Sequence, residues 1–182
     1  AIASWCAEHD VICVRGPLHD VMARYALAAR QLGASVIMRL TADCPLLDPD
    51  VCAEVLKRVT EQGADYASNV TAPRTWPQGL DCEAFTAQAF FRAEKEATLP
   101  AEREHVTPYL YADHAPPLFT VRKFSCPVPD IGLERWTLDY PKDYAFLSEV
   151  AKHLPSDRPA DYKNVLDVLR RFPNLQNRNK AA

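Results

Sequence analysis

Glycine is scarce in this chain. Five occur in 182 residues, at Gly16, Gly33, Gly63, Gly79 and Gly132, no two of them close together. Loops that cradle phosphates with successive backbone N–H groups lean on glycine, so no glycine-rich phosphate loop is written in these residues. Arg15-Gly16-Pro17 comes nearest, and Pro17 has no N–H to offer. Metal-finger cysteine spacing is absent as well. Cys6, Cys13, Cys44, Cys52, Cys82 and Cys126 form no C-x-x-C pair, which favours reduced thiols over a disulfide framework. Neither sign of charge is in large excess: 21 Lys and Arg stand against 24 Asp and Glu, for a net charge of -3. The basic residues are scattered, so no general nucleic-acid surface is expected. No apolar run reaches membrane-spanning length, and no secretory leader pattern opens the chain. A cytoplasmic protein without nucleic-acid or membrane partners is the expectation.

Hydrophobic residues make up 48% of the chain, enough for one globular domain with a core. The apolar spacing predicts alternating strands and helices. Strands are expected at Val11 to Val14, Val36 to Leu40, Asp65 to Asn69, Leu118 to Phe124 and Trp136 to Asp139. Helices are expected over Asp20 to Leu32, from Asp48 to Gly63, from Thr86 to Ala97 and from Glu102 to His114 with Pro108 as a kink. Two more are expected, from Pro141 to Lys152 and from Tyr162 to Phe172. Alternation of this kind predicts an α/β fold with a mostly parallel sheet. The domain is read as 1–173, followed by a polar tail over 174–182.

Asp43 lies where a strand hands over to a helix. Ser35-Val36-Ile37-Met38 reads as a buried strand, and Asp48-Pro49 as an N-cap and first turn. Open α/β sheets bind ligands at the carboxyl ends of their strands. A carboxylate placed there, flanked by Arg39 and Thr41, suits a divalent cation held against a phosphate. The alternative is an Asp that caps a turn before Pro45. Asp139, followed by Pro141, repeats the arrangement, and two such carboxylates on one edge would share one cation; the alternative is again a helix cap. Asp81 and Glu83 stand two apart and would face one side of a strand, as a ligand site or as a solvated face. His105 and Tyr109 stand four apart and would share one helix face. They would offer an imidazole and a phenol to one ligand, or simply belong to an ordinary helix start.

Four blocks resemble one family in order. Thr41-Ala42-Asp43-Cys44-Pro45-Leu46-Leu47-Asp48 resembles the T-G-D-C-P-L-I-D signature of the cytidylyltransferases that activate acidic sugars. Arg74-Thr75-Trp76-Pro77-Gln78-Gly79-Leu80-Asp81-Cys82-Glu83 resembles R-T-Y-P-x-G-L-D-V-E of the spore-coat polysaccharide branch. Glu102 to Tyr109 matches that branch's E-R-E-H-V-T-P-Y, and Arg135 to Asp143 its R-W-T-L-D-x-P-x-D. The resemblance implies a sheet of the nucleotide-diphospho-sugar transferase type. It also implies attack of a sugar hydroxyl on the α-phosphorus of CTP, with pyrophosphate leaving. By the same carry-over Asp43 and Asp139 are the Mg²⁺ ligands, and with Arg39 they form the catalytic set. His105 and Tyr109 contact the sugar, and Asp81, Glu83 and Arg135 complete the substrate site.

That family opens with a first strand and a loop of the kind A-R-x-G-S-x-R-L-P-G-K, and no such sequence occurs here. The expectation is therefore a sheet that is incomplete at its N-terminal side, with strand edges that invite association, a homodimer included. These residues alone are expected to bind CTP poorly and turn over nothing measurable. Two other readings stay open. A nucleotide-sugar-dependent glycosyltransferase would share the fold type, although the spacing Asp48-Pro49-Asp50 lies at a helix start rather than between strands. A non-catalytic sugar- or nucleotide-binding module is the third.

Overall fold

The computed structural model describes residues 1–159 and 161–176. In chain order it contains helices α1 (Ile2–Glu8) and α2 (Val21–Leu32), strand β1 (Val36–Arg39), helix α3 (Pro49–Thr60), and strands β2 (Tyr66–Ser68) and β3 (Glu83–Thr86). Helices α4 (Ala87–Glu96), α5 (Pro100–His105) and α6 (Pro108–Tyr111) follow, then strand β4 (Val121–Lys123). A single 3₁₀ turn (Ile131–Leu133) and helices α7 (Pro141–Ala151), α8 (Tyr162–Arg171) and α9 (Pro173–Gln176) complete it. The strands form a mixed α/β sheet in the order β1-β3-β2-β4. β2 runs antiparallel to β3, with Tyr66 opposite Phe85, and parallel to β4, with Tyr66 opposite Val121. The sheet is thus less uniformly parallel than the alternation predicts. The excursion from Val70 to Gly79 lets β3 return beside β2 in the opposite sense.

The chain divides into two compact units, residues 1–37 with 86–119, and residues 38–85 with the chain from Thr120 on. In the first unit α2 packs on α4 and α5. Asp20 caps α2 by accepting the Ala23 N–H at 2.9 Å, and Gly33 ends it with a left-handed φ of 59°. Arg103 of α5 donates to Asp20 at 2.5 and 3.0 Å and to the Glu94 carbonyl at 2.7 Å. In the second unit α3 lies on β2, and a core with Trp76, Leu80, Trp136, Phe146 and Val165 fills the space under α7 and α8. Trp76 stands edge-on to Tyr162 at 5.1 Å and donates its indole N–H to the Phe124 carbonyl at 2.8 Å.

Three expected elements differ. Val11 to Val14 is not a strand, because the Val11 N–H closes the end of α1 on the Cys6 carbonyl at 2.8 Å and Val11 and Ile12 remain exposed. Trp136 to Asp139 is extended chain rather than a strand, with one parallel bridge between Arg135 and Gln78. The expected helix from Glu102 to His114 is two short helices, α5 and α6, broken at Val106, whose φ is 73°. Pro108 has no N–H to give the Glu104 carbonyl and its ring crowds that carbonyl, so the helix stops at Val106 and restarts at Pro108 instead of kinking. Of the expected tail, residues 177–182 lie outside the described residues, and Pro173–Gln176 is helical. Among the described residues no helix is long and apolar enough to cross a membrane.

Candidate active site

Between β1 and α3 the chain makes two tight turns. The Cys44 N–H meets the Thr41 carbonyl at 3.2 Å, and the Leu47 N–H meets the Cys44 carbonyl at 3.3 Å. Asp43 sits half-buried at the first of them. Its side chain contacts Cys44 Sγ at 3.7 Å, and Thr41 Oγ1 lies 3.3 Å from the same sulfur. Burial above all, with the charges of Asp43 and Asp81 adding to it, pushes the Cys44 thiol up to about 11. Cys44 is therefore a neutral, packed thiol rather than a nucleophile.

Asp48 anchors the far end of this loop. One carboxylate oxygen accepts the N–H groups of Asp50 and Val51 at 2.8 and 3.2 Å, and the other accepts the Tyr162 N–H at 3.0 Å. One buried side chain thus caps α3 and fastens it to the start of α8. Removing a cap costs about 0.5–2 kcal/mol, and stranding the buried Tyr162 N–H costs about 1–3 kcal/mol more. Asp48→Ala is expected to lower stability by about 1.5–5 kcal/mol in urea unfolding.

The second carboxylate, Asp139, reaches Asp43 through the backbone. The Leu138 N–H donates to the Asp43 carbonyl at 2.8 Å, so the two acidic residues lie on adjoining segments. On its other side the segment is tied to Gln78, which accepts from the Trp136 N–H at 2.6 Å and donates to the Glu134 carbonyl at 2.9 Å. Asp139 itself is exposed, and its Oδ2 accepts from Arg135 at 2.6 Å. Behind it stands Asp143, a fully buried carboxylate held by both arms of Arg135 at 2.7 and 2.8 Å and by the N–H groups of Asp139 and Tyr140, each at 2.9 Å. The Arg135 guanidinium, aided by those N–H groups, holds the Asp143 carboxyl well below the usual carboxylate range. The Trp136 indole N–H and the Thr137 hydroxyl nearby are buried without a protein partner.

Arg39, at the end of β1, pairs with the buried Glu83 at 2.6 Å, and the Tyr66 hydroxyl donates to the same carboxylate at 2.6 Å. Asp81 lies before β3 rather than in it, and it is bound by Arg74 at 2.7 and 3.1 Å. Asp81 and Glu83 therefore answer different arginines and do not form one acidic face. His105 and Tyr109 belong to the first unit, on different short helices, because the break at Val106 falls between them. His105 is exposed, and the Tyr109 hydroxyl donates to Glu96 at 2.9 Å. The single helix face expected for them does not form. The Asp143 clamp, Tyr66 under Glu83, and the Asp48 link to Tyr162 were not read from the sequence. Asp143 had a signal in its place two residues after the helix-opening Pro141, where acidic side chains cap helices.

The donor set suits Mg²⁺. That ion takes one or two carboxylates and completes its octahedron with water and substrate phosphates. Asp43 and Asp139 would supply the carboxylates, and among the described residues no group of three or more His, Cys, Asp and Glu gathers into an all-protein cage.

A family model for cytidylyltransferases matches residues 1–177. An uncharacterized protein of Methanocaldococcus jannaschii is 32% identical over 181 residues, covering 98% of this chain and 71% of the relative. The spore coat polysaccharide biosynthesis protein SpsF of Bacillus subtilis is 25% identical over 178 residues, covering 97% of this chain and 72% of its own length. Among solved structures, a cytidylyltransferase of Leptospira borgpetersenii superposes with a TM-score of 0.88 at 26% identity, over all of this chain and 74% of that one.

Proposed function

The chain belongs to the cytidylyltransferase family, and from that premise we propose that it serves the transfer of a cytidylyl group from CTP to an acidic or modified sugar for surface polysaccharide. The name of the Bacillus relative supports the polysaccharide setting. The observation that carries the reading is the hydrogen bond from Leu138 to Asp43, which makes neighbours of two acidic residues nearly a hundred positions apart in the chain. Asp43 and Asp139 would hold Mg²⁺, whose chemistry when bound is to offset charge on the α-phosphate. Arg39 would meet phosphate charge from the end of β1, with Glu83 and Tyr66 fixing its position. Asp81 and Arg135 would line the substrate site, each already oriented by an ion pair. A sugar hydroxyl attacks the α-phosphorus, the bond to the β-phosphate oxygen breaks, and pyrophosphate leaves.

Pyrophosphate release by the full-length protein tests this. With Mg²⁺ and a panel of acidic sugars, release is expected from CTP and not from ATP, GTP or UTP. Release from UTP with a neutral sugar, or from no pair, contradicts it. His105 and Tyr109 are proposed as sugar contacts. In direct titrations His105→Ala is expected to weaken the sugar by tenfold or more while CTP affinity stays within about twofold, since losing one good hydrogen bond to a charged group is worth about 1.5–3 kcal/mol. A variant that loses CTP alone would remove the assignment.

A further inference from the structure

We infer that Asp143 is a positioning residue that holds both arms of the Arg135 guanidinium it shares with Asp139, and so keeps the Asp139 carboxylate exchangeable toward a cation. The inference rests on the reading of Asp43 and Asp139 as a cation site.

The two carboxylates that share Arg135 are unlike. Asp143 is fully buried and takes both guanidinium arms, one on each oxygen, at 2.7 and 2.8 Å. A buried carboxylate survives only with such a partner, so this fork is the permanent pair. Asp139 has a side chain 39% exposed and takes one contact, at 2.6 Å. An ion pair with one carboxylate open to water is weaker than the buried fork. Asp139 therefore gives up Arg135 at little cost, because Asp143 goes on neutralising it. Asp143 also accepts the Asp139 and Tyr140 N–H groups at 2.9 Å, which sets the backbone from which the Asp139 carboxylate projects. With Asp143 uncharged, the Arg135 charge would fall more fully on Asp139 and compete with a metal ion there.

Asparagine at 143 separates the two roles. Its amide oxygen still accepts the two backbone N–H groups, but the negative charge facing Arg135 is gone. Mn²⁺ titration of the full-length protein, followed by electron paramagnetic resonance, is the test. Asp143→Asn is expected to weaken Mn²⁺ about tenfold, within the range for groups that orient metal ligands. Adding Arg135→Met removes the competing cation, and affinity is expected to return to within about threefold of the wild type. A double variant as weak as Asp143→Asn, or a single variant that binds like the wild type, overturns the inference. Asp43→Asn is the control for the underlying site. If it binds Mn²⁺ as the wild type does, the cation-site reading falls and the inference with it. Should Asp143→Asn lose its fold by circular dichroism, Arg135→Lys carries the test. A lysine offers one point charge, which Asp143 retains, so Mn²⁺ should bind at least as tightly as in the wild type. Weaker binding overturns the inference.

Discussion

Asp43→Asn is expected to lower cytidylyl transfer by roughly a thousandfold while leaving the melting temperature within about a degree. A cation that stabilises a phosphoryl transition state is worth several kcal/mol, and a thousandfold corresponds to about 4 kcal/mol. The structure explains why stability should be spared. Among the described residues the side chain of Asp43 makes its polar contact with the Cys44 sulfur, at 3.7 Å, while the anchoring bond from Leu138 goes to the backbone carbonyl. Asparagine keeps that carbonyl and nearly the same volume. Steady-state kinetics at saturating CTP, with a thermal melt of the same sample, checks both halves. A large fall in melting temperature would mean that Asp43 is a structural residue.

Gly79→Ala is expected to do the opposite, destabilising the second unit by about 2–6 kcal/mol. Gly79 holds a φ of 110°, and an added Cβ would lie 2.6 Å from the Trp136 carbonyl carbon and 2.9 Å from the Thr137 nitrogen. Residues forced into such backbone cost about 1–3 kcal/mol, and overpacking against immobile backbone about as much again. The atoms that would have to move belong to the segment carrying Asp139, so the proposed cation site should loosen together with the fold. Gly33→Ala is the contrast. Its φ is 59° with nothing within 4 Å of the added carbon, so only the conformational penalty of about 1–2 kcal/mol applies. Urea unfolding of the two variants should separate them clearly. Equal losses would mean that the close packing of Gly79 on Trp136 carries no weight.

Local signals in the sequence located most helices. Asp20, Asp48 and Thr86 cap their helices as their side chains predict, and Pro49 and Pro141 open theirs. The strand segments were less legible. Val11 to Val14 has strand-like residues but pairs with no strand among the described residues, and β-propensity expresses packing more than backbone preference. Asp43 and Asp139 were expected on one sheet edge from their matched positions before helices, and the structure joins their segments by the Leu138 bond to the Asp43 carbonyl. That bond was not legible, since a backbone contact between residues 43 and 138 leaves no trace in local pattern. Asp81 and Glu83 illustrate the same limit. Period-two spacing placed them on one face, but β3 begins only at Glu83, so the strand alternation does not reach back to Asp81. His105 and Tyr109 were given one helix because helical spacing outweighed the missing N–H and the crowding ring of Pro108.

The most direct measurement is anomalous diffraction from crystals of the full-length protein grown with Mn²⁺ and a non-hydrolysable CTP analogue. The account predicts one manganese peak between Asp43 and Asp139, with at least one carboxylate oxygen at about 2.1–2.2 Å and the α-phosphate on the same ion. A peak bound by other residues, with Asp139 still closed on Arg135, would contradict it.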